Sequence, residues 1–153
     1  MSTGLTWPSA NRAFYIPFAL PFPYPVKRVF WVNGTSITST NRDFGIYTLE
    51  GTRIYSTGST AAAGSSSAAQ YVTPSPDFLL MPGSYFFGIS CSSVTAARGG
   101  EGVSAGTGGV AALRLLGVLQ EDSALPLPAT MTPAVVANIN LPLCGITKTT
   151  TGF

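Results

Sequence analysis

The chain of 153 residues contains no histidine, only two cysteines, and few charged residues, which make up 9% of its composition. Histidine is the commonest general base in enzymes, so catalysis here would depend on six carboxylates, lysines and hydroxyl groups. Transition-metal sites are disfavoured for the same reason, although carbonyl-rich loops could hold calcium without a readable motif. We therefore predict a protein without enzymatic activity or cofactor. A glycosidase pair is the enzymatic alternative, drawn from Asp43, Glu50, Asp77, Glu101, Glu121 and Asp122.

The shortage of charge needs an explanation, because charged residues make up about a quarter of a typical soluble domain. Disorder is not the explanation, since 45% of the residues are hydrophobic and the mean hydropathy is +0.31. We expect a surface covered by Ser, Thr, Gly and Asn and partly buried against other subunits. The length fits one domain.

The apolar segments do not predict a membrane helix or a secretion signal. The stretch "AFYIPFALPFPYPV", residues 13–26, is interrupted by prolines, and "GVAALRLLGVLQ", residues 109–120, is shorter than the span of about 20 residues that a bilayer requires. The amino terminus "MSTGLTWPSA" has neither a basic start nor an apolar core. We expect folding in a cytoplasm, with Cys91 and Cys144 reduced and buried and a disulfide as the alternative.

The basic residues do not predict a nucleic-acid interface. The net charge is +2, and Lys27-Arg28 is the one adjacent basic pair in the sequence. A binding face needs a basic stripe, because neutralising phosphates supplies most of the affinity. We predict no nucleic-acid partner.

Strand patterns dominate the first 96 residues. "RAFYIPFAL" is rich in aromatic and β-branched residues, and "VKRVFWV" alternates so that Val29 and Trp31 share one face. Asn33-Gly34 follows as a tight-turn pair. Asn33-Gly34-Thr35 also matches a glycosylation sequon, but without a secretion signal the turn is the preferred interpretation.

The stretch "NRDFGIYTLEGTRIYSTGST", residues 41–60, contains the letters Asp-Phe-Gly that bind magnesium in protein kinases. A kinase also needs a glycine-rich loop, a strand lysine and a His-Arg-Asp loop. Because this sequence contains no histidine, we exclude a kinase. The alternation predicts a β-hairpin turning at "EGTR". We expect Asp43 to accept a local backbone hydrogen bond, and Gly45 to mark a bulge or a close approach by a neighbouring backbone.

The composition changes after residue 96. Residues 97–110, "ARGGEGVSAGTGGV", predict a flexible Gly-rich loop, because glycine loses much conformational entropy when it is ordered. A phosphate-binding loop is the alternative, but its sequence would end in Gly-Lys-Ser/Thr, which is absent here. "VAALRLLGVLQED" fits a short helix or a buried strand. The prolines of "ALPLPATMTPAVVANINLPLCGITKTTTGF" predict an extended arm, packed on its own domain or reaching a neighbouring subunit. In that arm we expect burial of Leu125, Leu127, Val135, Val136, Ile139 and Leu141.

Short strands separated by turns, without a fixed repeat, predict an all-β fold. We predict an antiparallel β-sandwich, jelly-roll-like, with a Gly-rich loop and a Pro-rich extended C-terminal arm. The expected divisions are a sandwich domain over residues 1–96, the loop over 97–110, and a C-terminal segment with the arm over 111–153.

Four segments resemble a family of small proteins encoded in the structural gene clusters of tailed phages and prophages. They are "ANRAFYIPFALPFPYPVKRVFWVNG", "DFGIYTLEGTRIYSTGST", "LMPGSYFFGIS" and "ALPLPATMT". The resemblance covers most of the chain but not the Gly-rich loop, and it consists of strand and turn patterns. It implies a virion component of β-sandwich or jelly-roll type, on the head or on the tail, and it carries over no catalytic residues.

Two functions follow as hypotheses. The first is a decoration or cement protein of the capsid, assembled in the host cytoplasm, that binds the major capsid protein as a homotrimer through its Pro-rich termini and apolar edges. The second is a tail- or fibre-associated module that binds a host glycan or receptor by stacking aromatic side chains on sugar rings. The candidate side chains are Trp7, Tyr24, Trp31, Tyr47, Tyr55 and Tyr71. Trp7 and Tyr24 lie beside prolines and outside clear strands, so we expect these two aromatics to be exposed.

Overall fold

The computed structural model describes residues 5–33, 40–65, 68–93, 97–98, 115–136 and 142–150. These residues contain fourteen β-strands, and all the pairings between them are antiparallel. The predicted all-β class is confirmed. Most of the Gly-rich segment 97–110 lies outside the described residues. The strands are β1 (Leu5–Thr6), β2 (Ala13–Leu20), β3 (Tyr24–Val26), β4 (Arg28–Val32), β5 (Asn41–Thr48), β6 (Arg53–Ser56), β7 (Thr60–Ala61), β8 (Ala69–Val72), β9 (Phe78–Leu80), β10 (Gly83–Cys91), β11 (Ala97–Arg98), β12 (Leu119–Glu121), β13 (Ala134–Val135) and β14 (Cys144–Thr147).

The largest sheet has seven strands in the order β13-β12-β2-β10-β5-β6, with β7 beside β5. Strand β10 forms its middle, pairing with β2 from Gly83↔Leu20 to Ser90↔Ala13 and with β5 from Tyr85↔Thr48 to Cys91↔Arg42. Strand β10 is therefore hydrogen-bonded on both sides and lies at the centre of the seven-stranded sheet.

A second sheet has three strands in the order β14-β4-β8. In β4 the side chains of Val29 and Trp31 are buried, whereas Arg28, Phe30 and Val32 are half-buried. The predicted alternation in "VKRVFWV" is therefore confirmed, because successive side chains of a strand point to opposite faces.

Both sheets contribute side chains to one hydrophobic cluster, the first core. The second core lies on the other face of the seven-stranded sheet and includes Tyr15, Tyr47 and Leu127. The seven-stranded sheet is therefore covered on both faces, which suits its nearly continuous apolar strands. The buried members of the first core are Trp7, Phe14, Val26, Val29, Trp31, Phe44, Ile46, Leu80, Ile89, Cys91, Val118 and Val136.

Two neighbouring strands are interrupted at the same place. The β2–β10 ladder ends at Leu20↔Gly83, and a new ladder between β3 and β9 begins at Tyr24↔Leu80. Prolines lie in both interruptions, at positions 21, 23 and 82, where their missing N–H groups and fixed φ angles end regular pairing. We call residues 21–25 and 79–82 the proline corner.

The hairpin predicted for residues 41–60 is confirmed. Strands β5 and β6 pair through Gly45↔Ser56 and Ile46↔Tyr55, with a register shift next to Tyr47. In the turn, Thr48 N–H donates to the Thr52 carbonyl at 2.9 Å, and Gly51 has a φ of 89°. A positive φ is easy for glycine, which explains the "EG" in this turn.

The carboxyl-terminal segment is not entirely an extended arm. Strand β12 pairs with β2 and strand β14 pairs with β4, so both belong to sheets built by earlier residues. The prediction that proline would keep this segment out of regular sheet is wrong for Cys144–Thr147. The prolines of the segment all precede these four residues, whose N–H groups remain available for a ladder.

Candidate interaction surface

A buried carboxylate fixes the carboxyl-terminal segment to the hairpin. Asp43 is fully buried. It accepts hydrogen bonds from Ser56 Oγ at 2.8 Å, Thr57 Oγ1 at 3.1 Å and the Leu127 backbone N–H at 2.9 Å. The prediction that Asp43 accepts a backbone hydrogen bond is confirmed. The prediction that the donor would be a neighbour in the sequence is wrong, because Leu127 lies 84 residues away.

Residues 124–131 form what we call the strap, which crosses the outer face of the seven-stranded sheet. Tyr47 Oη donates to the Pro128 carbonyl at 2.7 Å, and Arg53 N–H donates to the Ala129 carbonyl at 2.9 Å. Met131 N–H donates to the Gly51 carbonyl at 3.0 Å. The polar backbone of a proline-rich segment is thus satisfied by the hairpin, as burial requires.

A second carboxylate continues this attachment beyond the strap. Glu121 accepts hydrogen bonds from Tyr15 Oη at 2.7 Å, Thr132 N–H at 3.0 Å and Thr132 Oγ1 at 2.8 Å. Burial is the main cause that raises the pKa of the Tyr15 and Tyr47 hydroxyls, so both remain proton donors at neutral pH.

Two glycines make room for the strap and the tyrosines beneath it. Gly45 and Gly88 are directly paired across β5 and β10. A Cβ atom on Gly45 would lie 2.9 Å from Leu127 Cδ1, and one on Gly88 would lie 2.8 Å from Tyr47 Cε2. The predicted close approach at Gly45 is confirmed, with the Tyr55 carbonyl 3.1 Å from the same position.

The proline corner carries exposed apolar side chains. Phe22, Leu79 and Met81 are 51%, 54% and 58% exposed. Lys148 Nζ lies 4.6 Å from the ring centroid of Phe22 and 4.9 Å from that of Tyr24. The corner therefore presents an apolar surface with one cation at its edge, supported by a cation–π contact.

Of the two aromatics expected to be exposed, Trp7 is buried. It is 4% exposed, its Nε1 donates to the Arg12 carbonyl at 2.9 Å, and its ring meets Phe14 edge-on. The prediction is wrong because the chain reverses at Asn11, where φ is 59°, and folds Trp7 back over the start of β2. Tyr24 is half-buried, and its hydroxyl donates to the Ile146 carbonyl at 3.3 Å.

The predicted burial of the arm is confirmed in part. Leu127 and Val136 are buried and Leu125 is half-buried, whereas Val135 is 62% exposed. The prediction for Val135 is wrong because neighbouring side chains of an extended chain point in opposite directions, so Val136 takes the core side. Ile139 and Leu141 lie outside the described residues.

Both cysteines are free, which confirms the preference for thiols over a disulfide. Cys91 belongs to the first core. Burial raises the pKa of the Cys144 thiol to about 12, although the residue as a whole is half-buried. The Cys144 thiol is therefore not a reactive thiolate candidate at neutral pH.

Other classes of site find no support in the part of the chain that the structure describes. Within those residues, no group of three or more carboxylates and cysteines could hold a metal ion. No described helix has the length and hydropathy needed to cross a membrane. No family model matches the sequence, and no curated protein or solved structure shows significant similarity to it.

Sequence patterns missed the exposed corner, although a signal was present. Phe22 lies between two prolines, and Met81 precedes Pro82. Each of these prolines lacks an N–H group and lies where a ladder ends, so the apolar side chain beside it has no paired strand to cover it.

Proposed function

We propose that this chain is a non-enzymatic structural protein of a bacteriophage virion, which decorates and cements the capsid as a homotrimer. The proposed architecture is a jelly-roll-like sandwich in which the two sheets enclose the first core. The proposed partners are the major capsid protein and other copies of this chain. The single observation that supports this function best is the exposed apolar surface of the proline corner.

The corner is suited to binding a protein surface. Exposed apolar side chains that lie near one another often mark interaction sites. Leu79 lies in β9, which pairs with β3, whereas Phe22 precedes β3 and Met81 follows β9 directly. Prolines in both segments restrict the backbone before binding, so little conformational entropy is lost on association. A symmetric oligomer would repeat this surface, and several weak contacts would then act together.

The strap changes the part that the carboxyl-terminal segment plays in this proposal. Leu127 is buried in the second core, and its N–H is bound to Asp43 of the same chain. Residues 124–131 therefore stabilise the fold of their own chain. We propose the proline corner, and not the strap, as the surface that binds the capsid.

The glycan-binding alternative is less well supported at Trp7 and Tyr24, the two aromatics that we expected to be exposed. Trp7 belongs to the first core, and Tyr24 lies under Lys148 with its hydroxyl bound to Ile146. A sugar ring needs an open aromatic face. Capsid decoration is therefore the function that we propose.

The test is binding of the purified protein to empty capsids from the source that encodes it. A variant carrying Phe22→Ser, Leu79→Ser and Met81→Ser should bind at least about tenfold more weakly, since each lost apolar contact is worth about 1 kcal/mol or more. A control variant with Leu49→Ser and Ile54→Ser alters exposed apolar residues of the hairpin and should bind like the wild type. A monomeric protein that does not bind capsids would overturn the proposal.

A further inference from the structure

The feature that the proposed function leaves unexplained is a buried arginine. Arg42 lies on β5 and is 4% exposed. Side chains alternate along a strand, so Arg42 shares its face with Phe44 and Ile46, both of which belong to the first core. A guanidinium group is thus placed at the edge of the hydrophobic interior, where arginine is rare unless it is paired.

Among the described residues, the side chain that accepts a hydrogen bond from Arg42 Nη1 is neutral. Arg42 Nη1 donates to Asn33 Oδ1. Asn33 is fully buried, and its Nδ2 donates to the Ala63 carbonyl at 2.7 Å and the Ser65 carbonyl at 3.3 Å, which holds its oxygen toward Arg42. Arg42 Nη2 is buried without a hydrogen-bond acceptor among the described residues, and so is Trp31 Nε1.

In the described part of the chain, no carboxylate forms an ion pair with this guanidinium. Asp43 follows Arg42 directly but points to the other face of the strand, where it binds Ser56, Thr57 and the strap. The two ion pairs among the described residues join Arg12 to Asp122 and Lys27 to Asp77. Burial lowers the pKa of Arg42, with Cys91 across the ladder acting in the opposite direction.

We propose that Arg42 Nη2 binds a small monovalent anion, of the class of chloride, enclosed beside Asn33 on the first-core face of β5. An unpaired buried charge costs several kcal/mol, and an enclosed anion would satisfy both the free N–H group and the charge. A water molecule satisfies the N–H group and leaves the charge uncompensated. Phosphate or an organic acid would need an opening that a side chain with 4% exposure does not have.

Bromide provides the direct structural test, because it replaces chloride and scatters anomalously. Crystals of the wild-type protein grown in sodium bromide should show an anomalous peak within about 3.5 Å of Arg42 Nη2. Full density without an anomalous signal at that position would identify water and overturn the proposal. A peak that appears in molar bromide alone would indicate binding at crystal concentration only, and would overturn it as well.

Unfolding in solution provides the second test. At constant ionic strength, replacing sodium gluconate by sodium chloride should stabilise the wild type, with the folding equilibrium constant rising about tenfold for each tenfold increase in chloride above its Kd. Arg42→Gln should abolish this response, and Arg28→Gln, which alters a half-buried arginine beside Tyr71, should retain it. An equal chloride response in the Arg42→Gln protein, or none in the wild type, would contradict an anion site. If Arg42→Gln does not fold, the bromide experiment decides.

Discussion

Replacing Asp43 by alanine should be among the most damaging single substitutions in this protein. The change removes the acceptor of the Leu127 N–H and of the Ser56 and Thr57 hydroxyls. Thr57 Oγ1 can still donate to the Gly58 carbonyl at 3.2 Å, whereas the substitution removes the acceptor that the buried Leu127 N–H has in the wild type. Hydrogen bonds to a charged group contribute about 1.5–3 kcal/mol each and do not add fully, so we expect a loss of about 3–5 kcal/mol.

Urea unfolding followed by tryptophan fluorescence measures this loss, because Trp7 and Trp31 are both buried. Asp43→Asn retains one oxygen acceptor and should cost less than Asp43→Ala. Asp77→Asn is the matched control, since its ion pair with Lys27 is exposed and should contribute less than about 1 kcal/mol. Amide hydrogen exchange at Leu127 should accelerate in Asp43→Ala but not in the control. A loss below about 1 kcal/mol with unchanged exchange at Leu127 would refute the role given to Asp43.

Two further predictions concern the packing and the buried thiol. Gly88→Ala places a Cβ atom 2.8 Å from the ring of Tyr47, which the strap holds in place, and should lower the free energy of unfolding by about 1–3 kcal/mol. In the control Gly83→Ala the nearest atom is 3.6 Å away, and the loss should be less than about 1 kcal/mol. Equal losses for the two variants in urea unfolding would contradict the close packing at Gly88. Burial raises the pKa of the Cys144 thiol to about 12, whereas the same thiol in the unfolded chain has a pKa near 9. The folded state therefore keeps its full stability below pH 9 and loses stability as the pH rises from 9 toward 12, where the unfolded thiol ionises first. The free energy of unfolding should fall by about 1.4 kcal/mol per pH unit in this range, and Cys144→Val should remove that part of the slope. An unchanged slope in the variant would show that the thiol is not protonated by burial.

Local patterns predicted the strands and the hairpin well. The alternation in β4 and the turn between β5 and β6 depend on residues close together in sequence, so period and turn chemistry were sufficient to find them. The same information predicted a close approach at Gly45, because glycine inside a strand leaves space for a neighbour.

Long-range partners could not be read from such patterns. Asp43 receives its backbone donor from Leu127, 84 residues further along the chain. Nothing in the sequence around Asp43 specifies this contact. The unpaired guanidinium of Arg42 was missed for the same reason, since its surroundings depend on which strands become neighbours.

The central claim, that this chain decorates a phage capsid through its proline corner, is tested most directly by cryo-electron microscopy of intact particles from the source that encodes it. The account predicts trimers at symmetry-related positions over the head, with Phe22, Leu79 and Met81 in contact with the major capsid protein. Particles that lack the protein, or that carry a few copies at the tail tip, would contradict it.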